Sequence, residues 1–286
     1  MIAFVVVYVG AALLTLPLAW AERRWPASVP RSHPRDRVLA VVVRRRLDLS
    51  WWLFTPLVTG TFTRSVTWGV IASLAFVTGR GTRIDAMLAV FHDHTPLPFA
   101  HLPLVAQAPL VLLVADVVGY FSHRLRHSRA LWPFHQVHHS PRALDFLVSA
   151  RMHPVDDVVD NVAVGVAVLA CGFDPLVIAF LGPALILHTM LIHADLTWDF
   201  GPLRLLIASP AFHRLHHARV SSSRVRHGNY AQLFPFLDAL FGTLQSPPVA
   251  AVAPLAFGVD EDIPSTLSGQ LAWPIVLAWR TLRGRR

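Results

Sequence analysis

Uncharged apolar runs dominate the chain. Residues 2–20 hold no charged side chain over 19 positions, close to the ~20 needed to cross the hydrocarbon core of a bilayer. A second stretch, Trp51–Val77, is interrupted by Arg64. Its better spanning piece is Ser65–Val77 with the turn before it, and a long interfacial helix is the alternative. A third run, Phe99–Phe121, is long enough to span and carries Asp116 near its C-terminal end. The stretch Val158–Ile192 covers 35 positions, too many for one span, and Gly172-Phe173-Asp174-Pro175 breaks it near the middle. That pattern predicts a helical hairpin with two arms. The last apolar piece, Leu271–Leu282, is short and is predicted to lie on the surface or pack against the body. A cleaved signal peptide competes for residues 2–20, because Ala19-Trp20-Ala21 has cleavage-like small residues. No basic region precedes the run and Arg23-Arg24 follows it, which favours a retained helix.

The expected fold is therefore all-α, an integral membrane helical protein with about four transmembrane helices. Segment 22–46 holds eight Arg and segment 79–98 holds two. By the positive-inside rule the first loop is cytoplasmic, and so are residues 123–157 and 194–286. Three regions are expected: an N-terminal membrane region over 1–98, a central domain over 99–245 and a C-terminal tail over 246–286. No internal repeat or low-complexity segment is visible.

Composition narrows the class. The 286 residues are 54% hydrophobic and only 15% charged, against about 25% charged in soluble domains. Disorder, collagen and coiled coil are excluded. All 25 basic residues are Arg and the net charge is +8, but they flank apolar runs, so nucleic-acid binding is not expected. Cys171 stands alone, which excludes a disulfide framework, a Cys-based zinc site and a Cys-bound iron–sulfur cluster.

Sixteen His remain to be explained, and twelve lie between positions 123 and 227. They group as His123 and His127, then His135, His138 and His139, then His188 and His193, then His213, His216 and His217, with His153 and His227 apart. Positions i, i+3 and i+4 share one face of a helix, so three short helical pieces would each present two or three imidazoles in one direction. Asp116, Tyr120, His123 and His127 form a continuous stripe on one helix. A carboxylate inside an apolar span needs a partner, and ligating His commonly donate their other ring N–H to a carboxylate. Asp116 is thus expected to support His123, with an ion pair to Arg124 as the alternative. Imidazole suits Fe, Zn, Cu and Ni. Eight or more His exceed the capacity of one ion, so two metals are inferred.

At these residues the sequence resembles the fatty acid hydroxylase superfamily, also called the sterol desaturase family. The first signature is similar to Asp116, Tyr120, His123-Arg124 and His127, followed by Leu131-Trp132, His135 and His138-His139-Ser140. Arg151 and His153-Pro154 resemble the segment that follows. His193-Ala194-Asp195-Leu196 leads to Ser209-Pro210, His213-Arg214 and His216-His217, the second signature. Asn229-Tyr230 and Asp238, with Leu240-Phe241-Gly242-Thr243, match the end pattern. The resemblance covers roughly 110–245.

It implies a four-span helical fold with a cytoplasmic histidine-rich cap, and an O2-dependent enzyme with two Fe ions. Such an oxidoreductase hydroxylates or desaturates a lipid, sterol or isoprenoid substrate at an unactivated C–H bond, or cleaves an ether lipid after hydroxylation. Carried over residue by residue, the implied metal ligands are His123, His127, His135, His138, His139, His213, His216 and His217, with His193 as a ninth. His188 joins the set with a departure: the family tends to place a partner four residues before His193, and here the spacing is five. His153, Asn229 and Asp238, with Asp116 and Tyr120, are expected to support the ligands.

The alternative is a membrane metal-binding or transport protein without oxygenase activity. Transport needs polar groups along a path at membrane depth, whereas the His lie at one face. A zinc hydrolase is disfavoured, because no His-Glu-x-x-His occurs and no Glu lies between Arg23 and Asp260. Without a nucleotide-binding glycine motif or a second cofactor domain, electrons must come from a separate ferredoxin or cytochrome with its reductase. Arg214, Arg219, Arg224 and Arg226 are expected to dock that acidic carrier or to meet anionic lipid head groups. The expected location is a bacterial inner membrane, with the site facing the cytoplasm.

Overall fold

A computed structural model describes residues 15–27, 45–79, 83, 98–220, 227–246, 249–252 and 255–283. Helices α1 (15–24) and α2 (45–54) come first. A π-helical turn at Thr55–Thr59 joins α2 to α3 (Gly60–Val77). Pro56 in that turn has no N–H to donate, and the helix runs on through the slipped register. The helix continues through Arg64, so that 45–77 is one long helix with a π-helical turn, in line with the long-helix alternative. Then follow α4 (Leu104–Arg126), α5 (Trp132–His139), α6 (Pro154–Ala170), α7 (Pro175–His193), α8 (Pro210–His216), α9 (Phe236–Leu240), α10 (Val249–Val252) and α11 (Leu267–Leu282). No strand occurs among the described residues, and one isolated antiparallel bridge joins Ala218 to Phe257.

The hairpin between α6 and α7 turns where its residues require it. Gly172 takes φ +74°, a left-handed conformation open to glycine. Asp174 then caps α7 by accepting the backbone N–H of Leu176, and Pro175 sits at the first turn, where a missing N–H is harmless. α4 packs on this hairpin through Val111, Val168, Phe173 and Val177, and α3 packs on α6 through Ile71, Ala75 and Leu169.

Among the described residues one helix, α4, is both long and apolar enough to cross a membrane. Its 23 residues give about 34 Å at 1.5 Å per residue. Only 28% of its most apolar window is buried within the protein, unlike the core helix of a soluble fold. Large apolar side chains also point outward elsewhere, as at Phe76 and Val77 on α3 and Phe180 on α7. Residues 1–14 of the first apolar run lie outside the described residues. The C-terminal α11 packs against the body: Trp273 is buried with Leu47, Trp51 and Val137, and the Trp51 indole N–H donates to Gln270 at 2.7 Å.

Candidate metal centre

Nine of the ten expected ligands meet at the C-terminal ends of α4 and α7, on α5 and along α8. They form two groups: His123, His127, His135, His139 and His216 in one, and His138, His193, His213 and His217 in the other. Within each group the candidate ligand atoms all lie within 4.8 Å of one another. The triplets do not each face one way, as their spacing alone suggests. His135 and His139 share a group while His138, between them, turns to the other; His213 and His217 share a group while His216 turns away. Four residues advance a helix by about 40° beyond a full turn and one residue by about 100°. The i, i+4 pairs therefore stay together and the adjacent pairs diverge.

Backbone carbonyls set the tautomers. His123 Nδ1 donates to the Tyr230 carbonyl at 2.8 Å, His138 Nδ1 to Arg151 at 3.1 Å, His193 Nδ1 to Thr189 at 2.7 Å and His216 Nδ1 to Gly228 at 2.9 Å. A ring that donates from Nδ1 while neutral carries a lone pair on Nε2. The Nε2 atoms of the two groups converge: His138 to His193 is 3.3 Å, His193 to His213 3.0 Å, His213 to His217 3.1 Å, His216 to His139 3.1 Å and His127 to His216 3.3 Å. In the tautomers held by carbonyls, His138 and His193 face each other lone pair to lone pair. A cation among these nitrogens turns that repulsion into coordination. The buried Nε2 of His135 likewise has no hydrogen-bond partner. The donor set therefore fits two metal ions bound by imidazole.

Burial readies these rings. It pushes His135, His138, His139, His213 and His217 well below the usual 6.5, helped by neighbouring imidazoles and, for His135 and His138, by Arg126. His216 is lowered to about 3, mainly by burial. The rings are neutral across the physiological range, the form a metal requires.

The supporting residues are arranged differently from expectation. Asp116 touches neither His123 nor Arg124; it accepts the backbone N–H groups of Gln232, Leu233 and Phe234 at 2.6–3.0 Å. Three amides satisfy a buried carboxylate without an ion pair. Asp238 accepts from Tyr230 N and Ala231 N, both at 2.8 Å, and from the Thr243 hydroxyl. Asn229, at φ +57°, donates to the carbonyls of Phe212 and Gln245. These three side chains hold the segment 228–234, whose carbonyls hold His123 and His216. Tyr120 shares a hydrogen bond with Thr243 at 2.8 Å and stacks on Phe241.

His188 lies in neither group; its Nε2 donates to the Gln232 carbonyl at 3.1 Å. His153 caps α6, accepting the Val155 N–H, and donates from Nε2 to Leu271. His227 is exposed at the rim, its ring 5.3 Å from that of His127. His101 is exposed on a 3-10 turn at Pro98–His101, while His33, His92 and His94 lie outside the described residues.

Arg214 is not a docking residue. It is fully buried, paired with Asp195 at 2.9 Å and seated over Phe257. Arg219 is paired with Asp260, and Arg224 and Arg226 lie outside the described residues. Sequence reasoning missed Asp156, a buried carboxylate 3.4 Å from His135 Nδ1. Its pairing with Asp157 at the start of α6 reads as ordinary helix capping. It also missed Glu22, which accepts the N–H groups of Phe146 and Asp195 and ties α1 to the segment just after His193.

An all-α chain with a helix fit to span a membrane and two buried imidazole groups defines a histidine-rich, membrane-associated candidate metalloprotein. The fatty acid hydroxylase family model matches residues 108–243, just under half of the chain, and supports its resemblance to the fatty acid hydroxylase and sterol desaturase superfamily. The chain is similar to ornithine lipid hydroxylase OlsE of Rhizobium tropici, at 30% identity over 60% of this chain and 51% of that protein. It is also similar to alkylglycerol monooxygenase of Danio rerio, at 28% over 64% of this chain and 40% of that one. A Delta(7)-sterol 5(6)-desaturase of Gibberella zeae is 30% identical over 48% of this chain and 41% of that one. The matched region thus spans about half or less of the length of these relatives. No solved structure matches the chain.

Proposed function

We propose that this chain is an O2-dependent membrane oxygenase, a non-heme di-iron oxidoreductase that hydroxylates or desaturates a lipid-like substrate. The convergence of Nε2 atoms at 3.0–3.3 Å in two buried groups carries this reading. His123, His127, His135, His139 and His216 would hold one iron, and His138, His193, His213 and His217 the other. When bound, the pair supplies the oxidising power for an unactivated C–H bond, which acid–base side chains cannot attack. The chain's own part is positional. Carbonyls of residues 151, 189, 228 and 230 hold four rings with Nε2 presented, and burial keeps the rings neutral. Asp116, Asp238 and Asn229 brace the segment that offers two of those carbonyls.

The catalytic domain of this reading is 99–245. The chain would be a multi-pass protein of a bacterial inner membrane, with about four spans and a cap facing the cytoplasm. Electrons would come from a separate ferredoxin or cytochrome with its reductase. The printed activities of the relatives, on an ornithine lipid, an alkylglycerol and a sterol, support a lipid-like substrate. A metal transporter is less well supported, because the nine imidazoles gather in two neighbouring groups and not along a path.

The test is metal analysis of the purified chain together with lipid profiles of cells with and without it, in air and without O2. Two irons per chain and an O2-dependent change in a lipid are expected. Fewer than two metals, or a lipid change indifferent to O2, would sink the reading.

A further inference from the structure

The segment between α7 and α8 is unusually apolar on its outer side. Leu203, Leu205, Leu206 and Ile207 are all exposed in it, Leu206 to 54%. Beside them, at the end of α9, Leu240 is 69% exposed and Phe241 is also exposed. The Phe236 N–H donates to the Leu205 carbonyl at 2.9 Å, so the two pieces form one surface. A contiguous apolar patch of this kind marks a contact with membrane or partner.

Its position names the occupant. Phe121 and Leu125, exposed on the last turns of α4, continue the outward apolar face of the one described helix fit to span. The Phe121 ring lies 5.0 Å from Phe241, and Tyr120 stacks on the same Phe241 at 5.0 Å. The patch is therefore an extension of a lipid-facing surface, at the depth where α4 reaches its closing arginines. Arg124 and Arg204 are exposed there too. Each has a long stem that lets its guanidinium reach the phosphate level while neighbouring leucines stay in hydrocarbon.

We infer that residues 203–207 and 240–241 form a collar that lies in the interface of the lipid bilayer, a second membrane contact beside the spanning helices. Such a collar would hold the end of α4 that carries His123 and His127 against the membrane surface. An apolar substrate could then move from the acyl layer to the site without crossing water. The mode is that of an interfacial segment, with apolar side chains submerged by about 5–10 Å.

The chain has a single cysteine, so a Cys171→Ser background allows one label at a time. Leu206→Cys, Leu240→Cys and the water-facing Glu261→Cys are labelled with bimane in the full chain. A fourth label at Leu113→Cys, exposed on the middle of α4, reports whether that helix crosses. Each protein is reconstituted in vesicles of phosphatidylcholine and phosphatidylglycerol carrying a nitroxide at the 5-position of the acyl chain. We expect quenching at 206 and 240 at least threefold above that at 261, and iodide access in the reverse order. Labels at 206 and 240 that iodide reaches as easily as at 261, while 113 stays shielded, would overturn the collar and leave α4 spanning. Iodide access at 113 as well would overturn both. The four sites are exposed and their substitution leaves the core intact, and circular dichroism of each variant checks the fold.

Discussion

The two histidine groups share α5 and α8, the first adding α4 and the second α7, and they are held differently. In the group of five, His123 and His216 lean on carbonyls of the 228–230 segment and His135 faces Asp156. In the group of four, His138 and His193 lean on carbonyls at 151 and 189, while the buried Nδ1 atoms of His213 and His217 have no hydrogen-bond partner. The first group depends on a loop that is itself braced by Asp116, Asp238 and Asn229. The second depends on one carbonyl within α7 and one in the connection before α6. If both groups bind metal, the first has five candidate ligands and leans on a braced loop, and the second has four candidate ligands and none to spare.

The comparison breaks most easily at the ligands. His213→Ala leaves the second group three imidazoles, and metal analysis should show a fall from two equivalents to one with turnover abolished. His127→Ala leaves the first group four, and most of its metal should remain. Equal metal loss in both variants would end the distinction. Asp238→Asn weakens two charge-assisted bonds to the 230–231 amides. It should reduce stability by about 2 kcal/mol in denaturant unfolding. It should also weaken metal binding in the first group by about 10- to 100-fold, leaving the second group's affinity as it was; an equal fall at both would show that the loop does not serve one site alone.

Acid sharpens the contrast between metal-free and metal-bound protein. A His whose folded pKa lies below its unfolded value of about 6.5 binds protons better when unfolded, so stability is lost as pH falls below 6.5 and is level above it. At pH 5 each such buried ring costs about 2 kcal/mol, from 1.36 kcal/mol per pH unit. Melting of the metal-free chain should therefore drop steeply between pH 6.5 and 5. A flat profile would mean that the rings are not buried and neutral. The smallest effect is expected at His188→Leu, which removes one hydrogen bond to the Gln232 carbonyl, about 1 kcal/mol, with metal content unchanged. Metal loss there would add His188 to the second group and make the two groups equal in number.

Much of the site was legible. The i, i+4 spacing of His135 with His139 and of His213 with His217 already implied shared faces, and the break at Gly172–Pro175 was written in a glycine, a capping aspartate and a proline. The supporting contacts were less so. Any residue can supply a carbonyl, so nothing marked Arg151, Thr189, Gly228 or Tyr230 as the partners of the candidate ligand rings. Arg214 read as a surface charge because its pairing with Asp195 spans the turn after α7. Asp116 was recognised as a carboxylate in need of partners, yet the partners are amides more than 110 positions away.

The sequence by itself determined the all-α, strongly apolar character and the surplus of imidazole, because apolar run length and helical spacing are local properties of the chain. Only the tertiary structure decided that His138 and His139, adjacent in sequence, belong to different groups, and that Asp116 and Asp238 act through a loop. Those choices depend on which helix ends meet across long separations. Packing settles them through buried polar atoms that must each find a partner once water is gone.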